Sequence, residues 1–300
     1  MSKNNQIKQN PLVNIGLYSA LIFFLLFTML PFYVVIATAI TAASETGIAA
    51  GFIALPSEID LRGFTEIFTF QNNLLEEFMI FENVSKLLSG FYNMFWQVVP
   101  KSIISLFISG LAGYSYCKLK FKLKKPMFDF MLATMMIPMG TMTFVSFSFF
   151  VKLGWYKTVL PLIIPSLFGG SGTIFFLRQF FEGVPTEILE AARVDGLGEI
   201  GIYFKIAMPL AMPAFISQFI LGFIGGYNSY TGPMLYLEGM DALYPLQLVL
   251  TKSLVASYST KTNPQFQASY VAIALLPILI IYLFGQKFFI SGITSGAVKG

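Results

Sequence analysis

Six long apolar stretches constrain this chain more than any other feature. A helix needs about 20 apolar residues to cross a bilayer core, and six stretches reach or approach that length. They lie near 14–40, 93–117, 126–150, 159–180, 208–232 and 267–290. Only 11% of the 300 residues are charged, against about 25% in soluble proteins. The pattern predicts an all-α integral membrane protein with six transmembrane helices, the first of them over 14–40.

The first stretch has two interpretations. Lys3 and Lys8 precede it, and Ala37-Thr38-Ala39 is similar to a small-residue cleavage site, as in a signal peptide. Its apolar run of about 26 residues is longer than the 7–15 typical of a signal peptide. The length favours an uncleaved membrane anchor.

Lysine positions predict the orientation of the chain. The segment 118–125, KLKFKLKK, contains five lysines between the second and third helices. Loops rich in Lys and Arg stay in the cytoplasm. Counting helices from this loop predicts a cytoplasmic N-terminus (1–13) and a cytoplasmic tail (291–300).

The segment 41–92 then lies outside, and it contains seven acidic residues against two basic ones. Apolar residues scattered among these charges predict a small extracytoplasmic cap with short amphipathic helices. A disordered loop is the alternative. The remaining five membrane helices belong to a core over 93–300.

The cytoplasmic loop 181–213 has the pattern of two short helices joined by a turn. Pro185 suits a helix start, and Asp195-Gly196 suits a helix end, because glycine adopts left-handed dihedrals readily. Pro209 is expected to begin the next membrane helix. Each short helix has apolar positions: Ile188, Leu189 and Ala192 in the first, and Ile200, Tyr203, Phe204 and Ile206 in the second. A partner protein or the chain's own helices could cover them.

The spacing of this loop resembles the EAA loop of ABC importer permeases. The matching residues are Glu190, Ala191, Ala192, Asp195, Gly196, Ile206, Pro209 and Pro213, with Met208 where the family usually has Leu. The tail GQKFFISGITSGAVKG is similar to that of the carbohydrate branch. Tyr227-Asn228 stands where many relatives have Trp-Asn.

The resemblance implies a type I importer of a sugar or oligosaccharide in a prokaryotic cell membrane. This chain would form half of the pore, with a second, non-identical permease. A cytosolic ATPase dimer would bind ATP and Mg, and an extracytoplasmic solute-binding protein would deliver the solute. The EAA loop would dock on the ATPase, and Glu190 would pair with a basic group there. The small side chains of Ala191 and Ala192 would let the ATPase approach closely. Gly196 would set the angle between the two short helices. The tail would reach into the ATPase dimer as a second contact; a flexible, solvated end is the alternative.

Other functions have less support in the sequence. The chain has no His and one Cys, Cys117, and no phosphate-binding G-x-x-x-x-G-K-[ST] motif. We therefore predict no catalytic residues, no metal site and no cofactor in this chain. A secondary transporter would need intramembrane carboxylates, which are scarce here. An ABC permease for a non-sugar solute remains an alternative.

Polar residues within membrane helices are candidates for the solute pathway. They are Asn93, Gln97, Lys101, Gln218, Tyr227 and Asn228. Lys101 could instead extend its ammonium group to the membrane surface.

Overall fold

A computed structural model describes residues 11–42, 56, 58–69, 86–252 and 264–297 of the chain. Within these residues every regular element is helical, apart from one isolated bridge between Thr41 and Ile59. The α-helices are α1 (Pro11–Ile40), α2 (Arg62–Thr69), α3 (Lys86–Lys118), α4 (Lys124–Met135), α5 (Met139–Lys152), α6 (Leu160–Leu167), α7 (Ser171–Glu182), α8 (Thr186–Val194), α9 (Glu199–Ile202), α10 (Met208–Leu210), α11 (Met212–Tyr227), α12 (Thr231–Tyr236), α13 (246–252) and α14 (Pro264–Ala297). A π-helical segment, Tyr203–Ala207, joins α9 to α10, and a 3₁₀ turn covers Asp241–Leu243.

Four stretches of the described chain are long and apolar enough to cross a membrane without a sharp bend. They are Val13–Ile40, Leu87–Lys118, Leu160–Glu182 and Pro264–Gln286. Two further pairs, α4 with α5 and α9–α10 with α11, meet the same test as bent spans. The number of candidate spans is therefore four, or six if each bent pair counts as one.

Two of the predicted helices differ from the structure. The helix expected near 126–150 is two helices that meet at 103°, because Pro138 has an extended backbone (ψ 122°) and cannot continue a helix. The helix expected near 208–232 begins at Met212, after an 80° bend. Pro209 lies before that bend in α10, so the prediction that it begins the membrane helix is wrong.

The described residues divide into two units. The first contains α1, α2 and the beginning of α14 up to Ala274. Ser269 donates a hydrogen bond to the carbonyl of Ala39 (3.2 Å), and Gln265 donates one to the carbonyl of Asp60 (2.9 Å). Hydrogen bonds from Arg62 hold the pKa of Asp60 below its usual value. Of the predicted cap over 41–92, α2 is one short helix; 43–55, 57 and 70–85 lie outside the described residues.

The second unit is organised around α3, which packs against α7, α11 and α6. Small residues allow these helices to approach closely. A Cβ added to Gly113 would lie 3.1 Å from backbone atoms of both Ile174 and Arg178 on α7. A Cβ added to Gly110 would lie 2.5 Å from the ring of Phe215 on α11 and would overlap the hydroxyl of Tyr203. Close backbone contact of this kind is a main source of helix association in membranes.

We predict that Gly110→Ala destabilises the protein by about 1–3 kcal/mol, the usual cost of overpacking a core. The buried rings of Tyr203 and Phe215 leave no space for the methyl group. Gly225→Ala on α11 is the matched control, since no atom lies within 4 Å of its added Cβ. Thermal unfolding of the detergent-purified variants measures the difference. Equal melting temperatures for the two variants would contradict the packing of α3 described here.

Candidate functional site

The loop between α7 and α11 forms the predicted helix–turn–helix. The first helix, α8, ends at Val194 and is closed by two backbone hydrogen bonds: Gly196 N–H to the carbonyl of Arg193 (3.1 Å) and Leu197 N–H to that of Ala192 (3.0 Å). This paired closure is a Schellman motif, which needs a left-handed residue after the helix. Gly196 supplies it with φ +86°. The second helix runs from Glu199 through the π segment to Leu210.

One face of this loop packs on the chain's own core. Leu189 and Ala192 from α8 are buried, as are Ile202, Tyr203 and Ala207 from the second helix. They join one apolar cluster with three aromatic residues of the membrane helices, Tyr114, Phe181 and Phe215. Ala192 is therefore covered within the chain, and the close approach of an ATPase at Ala191 and Ala192 stays a prediction. Ile206 also packs against this cluster.

The other face of the loop is exposed and apolar. We define the outer face of the loop as Ile188, Ala191, Val194, Ile200 and Phe204. Val194 and Ile200 are 88% and 73% exposed. Residues 188, 191 and 194 recur at three-residue intervals on α8, and 200 and 204 are four apart, so each set shares one helix face. The chain's own helices therefore cover one face of the loop, and cover of the other face by a partner protein stays a prediction.

The remaining predicted coupling residues lie at the surface. Glu190 is exposed on α8, beside the outer face, and Asp195 caps the end of that helix. Gly196 has open space around it. Pro209 is exposed at the end of the second helix. In this arrangement Glu190, Ala191, Asp195 and Gly196 are accessible from solvent.

A carboxylate connects this loop to α3. Glu199 accepts hydrogen bonds from Arg193 Nε (2.7 Å) and from the hydroxyl of Tyr114 (3.1 Å). The hydrogen bond to Glu199 raises the pKa of Arg193 above its ordinary value. We call these three residues the brace: Tyr114, Arg193 and Glu199. They link α3, the end of α8 and the start of α9. No local sequence signal indicates the brace, since Tyr114 lies 85 residues from Glu199.

The hydroxyl of Tyr203 has no partner. This residue begins the π segment and is 1% exposed. Among the described residues its oxygen is the one buried side-chain polar atom without a hydrogen bond. It lies against Gly110 of α3, next to the bend that leads into α11. A buried polar group without a partner costs about 1–3 kcal/mol, and π segments are frequent at functional sites.

Two of the predicted solute-pathway residues hold a loop in place. The amide of Asn93 donates to the carbonyls of Ala242 (2.7 Å) and Tyr244 (3.1 Å). The amide of Gln97 donates to the carbonyl of Leu243 (2.8 Å). Both side chains are buried. In this structure their amides tie the turn after α12 to α3, and contact with solute stays a prediction.

The other predicted pathway residues are dispersed over α3 and α11. Lys101 donates from Nζ to the carbonyl of Leu162 on α6 (3.0 Å). Tyr227 is buried and packs on Phe223, while Gln218 is half-buried. Asn228 is exposed at the end of α11. In the described part of the chain no three His, Cys, Asp or Glu side chains lie close enough together to hold a metal ion.

Comparisons with known proteins give a consistent result. Residues 105–295 match the family described as binding-protein-dependent transport system inner membrane component. The arabinooligosaccharides transport system permease protein AraQ of Halalkalibacterium halodurans is 31% identical over 245 residues, which cover 81% of this chain and 86% of that protein.

A second relative is similar over its whole length. The polygalacturonan/rhamnogalacturonan transport system permease protein YtcP of Bacillus subtilis is 27% identical, with 97% of this chain and 100% of that protein covered. Among solved structures, a chain of a bacterial ABC transporter involved in import of the acidic polysaccharide alginate superposes with a TM-score of 0.79. That match has 21% identity and covers 96% of this chain and 100% of the other, so it shows a shared fold.

Two buried tyrosines of the same cluster predict opposite effects of the same substitution. Tyr203→Phe removes an unpaired hydroxyl and is expected to stabilise this conformation by about 1 kcal/mol. Tyr114→Phe removes a hydrogen bond to a carboxylate and is expected to destabilise it by about 1.5–3 kcal/mol. Thermal unfolding of the two variants in detergent gives the sign of each change. A loss of stability in Tyr203→Phe equal to that in Tyr114→Phe would show that the Tyr203 hydroxyl has a partner.

Proposed function

Since this chain belongs to the family of binding-protein-dependent transport system inner membrane components, we propose that it is the pore-forming permease subunit of an ATP-driven importer for a sugar or an oligosaccharide. It forms half of the pore beside a second, non-identical permease. A cytosolic ATPase dimer binds ATP and Mg, so this chain needs no cofactor of its own. An extracytoplasmic solute-binding protein delivers the solute.

The two-faced loop between α7 and α11 is the observation that carries this proposal. Its inner face is fixed to the core, while its outer face exposes Val194 and Ile200. Full burial of a Val or Ile side chain contributes about 1.5–3 kcal/mol. An exposed ion pair contributes only about 0–1 kcal/mol. We therefore assign most of the binding energy for the ATPase to the outer face, and orientation on the ATPase to Glu190.

The contacts of the loop also provide a path for force. The brace joins α8 to α3 through Glu199, and the second helix of the loop leads through an 80° bend into α11. When ATP closes the ATPase dimer, a displacement of α8 is carried to both membrane helices. In this mechanism the loop transmits movement, and the choice of solute belongs to the membrane helices and to the partner proteins.

The proposed topology has six spans with both ends in the cytoplasm. It counts α4 with α5 as one bent span and α11 (Met212–Tyr227) as the membrane part of the second bent pair, so that α9 and α10 stay in the cytoplasmic loop. The five lysines of 118–125 support a cytoplasmic position for the turn between α3 and α4. The loop with the outer face then lies on the same side, where an ATPase can reach it. The turn held by Asn93 and Gln97 lies outside.

The assignment of sugar cargo rests on similarity. Two relatives are permeases whose names specify arabinooligosaccharides and polygalacturonan/rhamnogalacturonan. The tail of this chain also resembles that of the carbohydrate branch. Within the described residues no single polar side chain identifies the sugar.

Co-purification and solute screening test this function. The chain is expressed with its candidate permease and ATPase partners, purified through an affinity tag and reconstituted with the solute-binding protein. We expect an ATPase to be recovered with the chain, and a sugar or oligosaccharide to stimulate ATP hydrolysis. Stimulation of ATP hydrolysis only by amino acids or other non-sugar solutes would contradict the assignment of a sugar cargo but would support the assignment as a permease. Recovery of the folded chain without any ATPase would reject the whole proposal.

Gly196 provides a sharper test of coupling. Gly196→Val places a β-branched residue at φ +86°, which is strongly unfavourable and alters the turn that presents the outer face. We expect solute uptake to be abolished while the protein still reaches the membrane. Gly198→Val is the matched control, because Gly198 also has open space around it but lies at φ −73°. Normal uptake by Gly196→Val at normal expression would contradict the coupling role.

A further inference from the structure

The turn between α3 and α4 carries basic and apolar side chains that the proposed function does not use. We define the basic tip as Lys120, Phe121, Lys122 and Leu123. All four residues are exposed, with Leu123 62% exposed. The tip lies within a run of five lysines over 118–125.

The neighbouring lysines have contacts within the chain. Lys118 donates to the carbonyl of Val184 (2.7 Å), and Lys124 donates to those of Cys117 (3.1 Å) and Leu119 (3.0 Å) at the end of α3. Lys125 pairs with Asp129 at 2.7 Å. Lys120 and Lys122 differ from these three, because neither has a hydrogen bond or ion pair in the described part of the chain.

The tip also has a restricted depth. α3 ends at Lys118 and α4 begins at Lys124, so five residues connect them, and the Lys124 N–H bonds back to the carbonyl of Phe121 (3.2 Å). A chain that extends for two or three residues and returns can reach about 10 Å at most. The polar headgroup layer on each side of a bilayer core is about 5–8 Å thick. The side chains of the tip therefore stay within about 10 Å of the end of the candidate span that α3 forms.

From this geometry we infer that the basic tip is a binding site for anionic phospholipid headgroups, with Lys120 and Lys122 contacting the phosphates and Phe121 and Leu123 lying at the boundary with the acyl chains. Lysines next to a membrane helix are attracted to anionic lipids, and exposed apolar residues among them insert into the interface. This inference rests on the proposed spans, but it is independent of the cargo and of the ATPase.

A lipid surface explains the tip better than a protein partner does. The short turn keeps Phe121 and Leu123 close to the end of the candidate span of α3, and apolar side chains beside a span can insert into the membrane interface without a protein cover. By contrast, the outer face of the proposed ATPase-docking loop is flanked by the exposed carboxylates Glu187 and Glu190. The opposite charge of the two surfaces indicates different partners.

Lipid titration monitored by native mass spectrometry tests the inference. The full-length chain is purified in detergent, with any co-purifying subunits, and titrated with phosphatidylglycerol or with phosphatidylcholine of the same acyl chains, without solute or ATP. Each lysine near an anionic surface changes affinity by about fivefold. We expect K120Q/K122Q to weaken phosphatidylglycerol binding by about 25-fold and to leave phosphatidylcholine binding within about twofold.

Three further variants make the result specific. K152Q/K157Q removes the same charge from the other end of the spans and is expected to change phosphatidylglycerol binding by less than about twofold. K120R/K122R keeps the charge and is expected to retain phosphatidylglycerol binding. F121A/L123A is expected to weaken binding of both lipids.

Unchanged phosphatidylglycerol binding in K120Q/K122Q, or equal loss of both lipids, would overturn the inference. Loss of the ATPase with unchanged lipid binding would assign the tip to the ATPase instead. A chain that binds phosphatidylglycerol as expected but imports no sugar would contradict only the proposed cargo.

Discussion

The contact of α3 with Tyr203 and Phe215 at Gly110 is the interaction on which the rest of the second unit depends. It brings together α3, the loop between α7 and α11, and α11 itself. Apolar side chains gain little free energy from leaving lipid for protein, so helices in a membrane associate mainly through close packing. The absence of a side chain at Gly110 permits that packing, and the aromatic cluster of Tyr114, Phe181 and Tyr203 fills the space around it.

Two polar groups within this packed region have opposite energetics. The Tyr114 hydroxyl is satisfied by Glu199, which also binds Arg193, so it stabilises the seat of the loop on α3. The Tyr203 hydroxyl is buried without a partner in this conformation, so it favours any conformation in which it gains one. The brace therefore stabilises this conformation, whereas the unpaired Tyr203 hydroxyl destabilises it.

Much of this organisation could be predicted from the sequence, because its signals are local. Apolar length indicated the candidate spans, and Asp195-Gly196 indicated the end of α8. Other features depend on how distant segments meet. Pro138 marks a possible break, but only packing determines a bend of 103°. Ala191 and Ala192 are equivalent in sequence, and the orientation of α8 on the core decides which one is buried. Asn93 and Gln97 resemble pathway residues because the carbonyls that they bind lie more than 140 residues away.

The contacts of α11 with α3 indicate which parts of the second unit move together. Near its beginning, Phe215 lies against Gly110 of α3. Near the end of α11, a Cβ added to Gly226 would lie 2.5 Å from Val98 of α3. Both ends of α11 are thus seated on α3, and the brace attaches the coupling loop to α3 as well. Opening a path between α3 and α11 would break close contacts at both ends of α11 at once. Moving α3, α11 and the loop together would keep all of them, so the geometry favours movement of these three parts as one body.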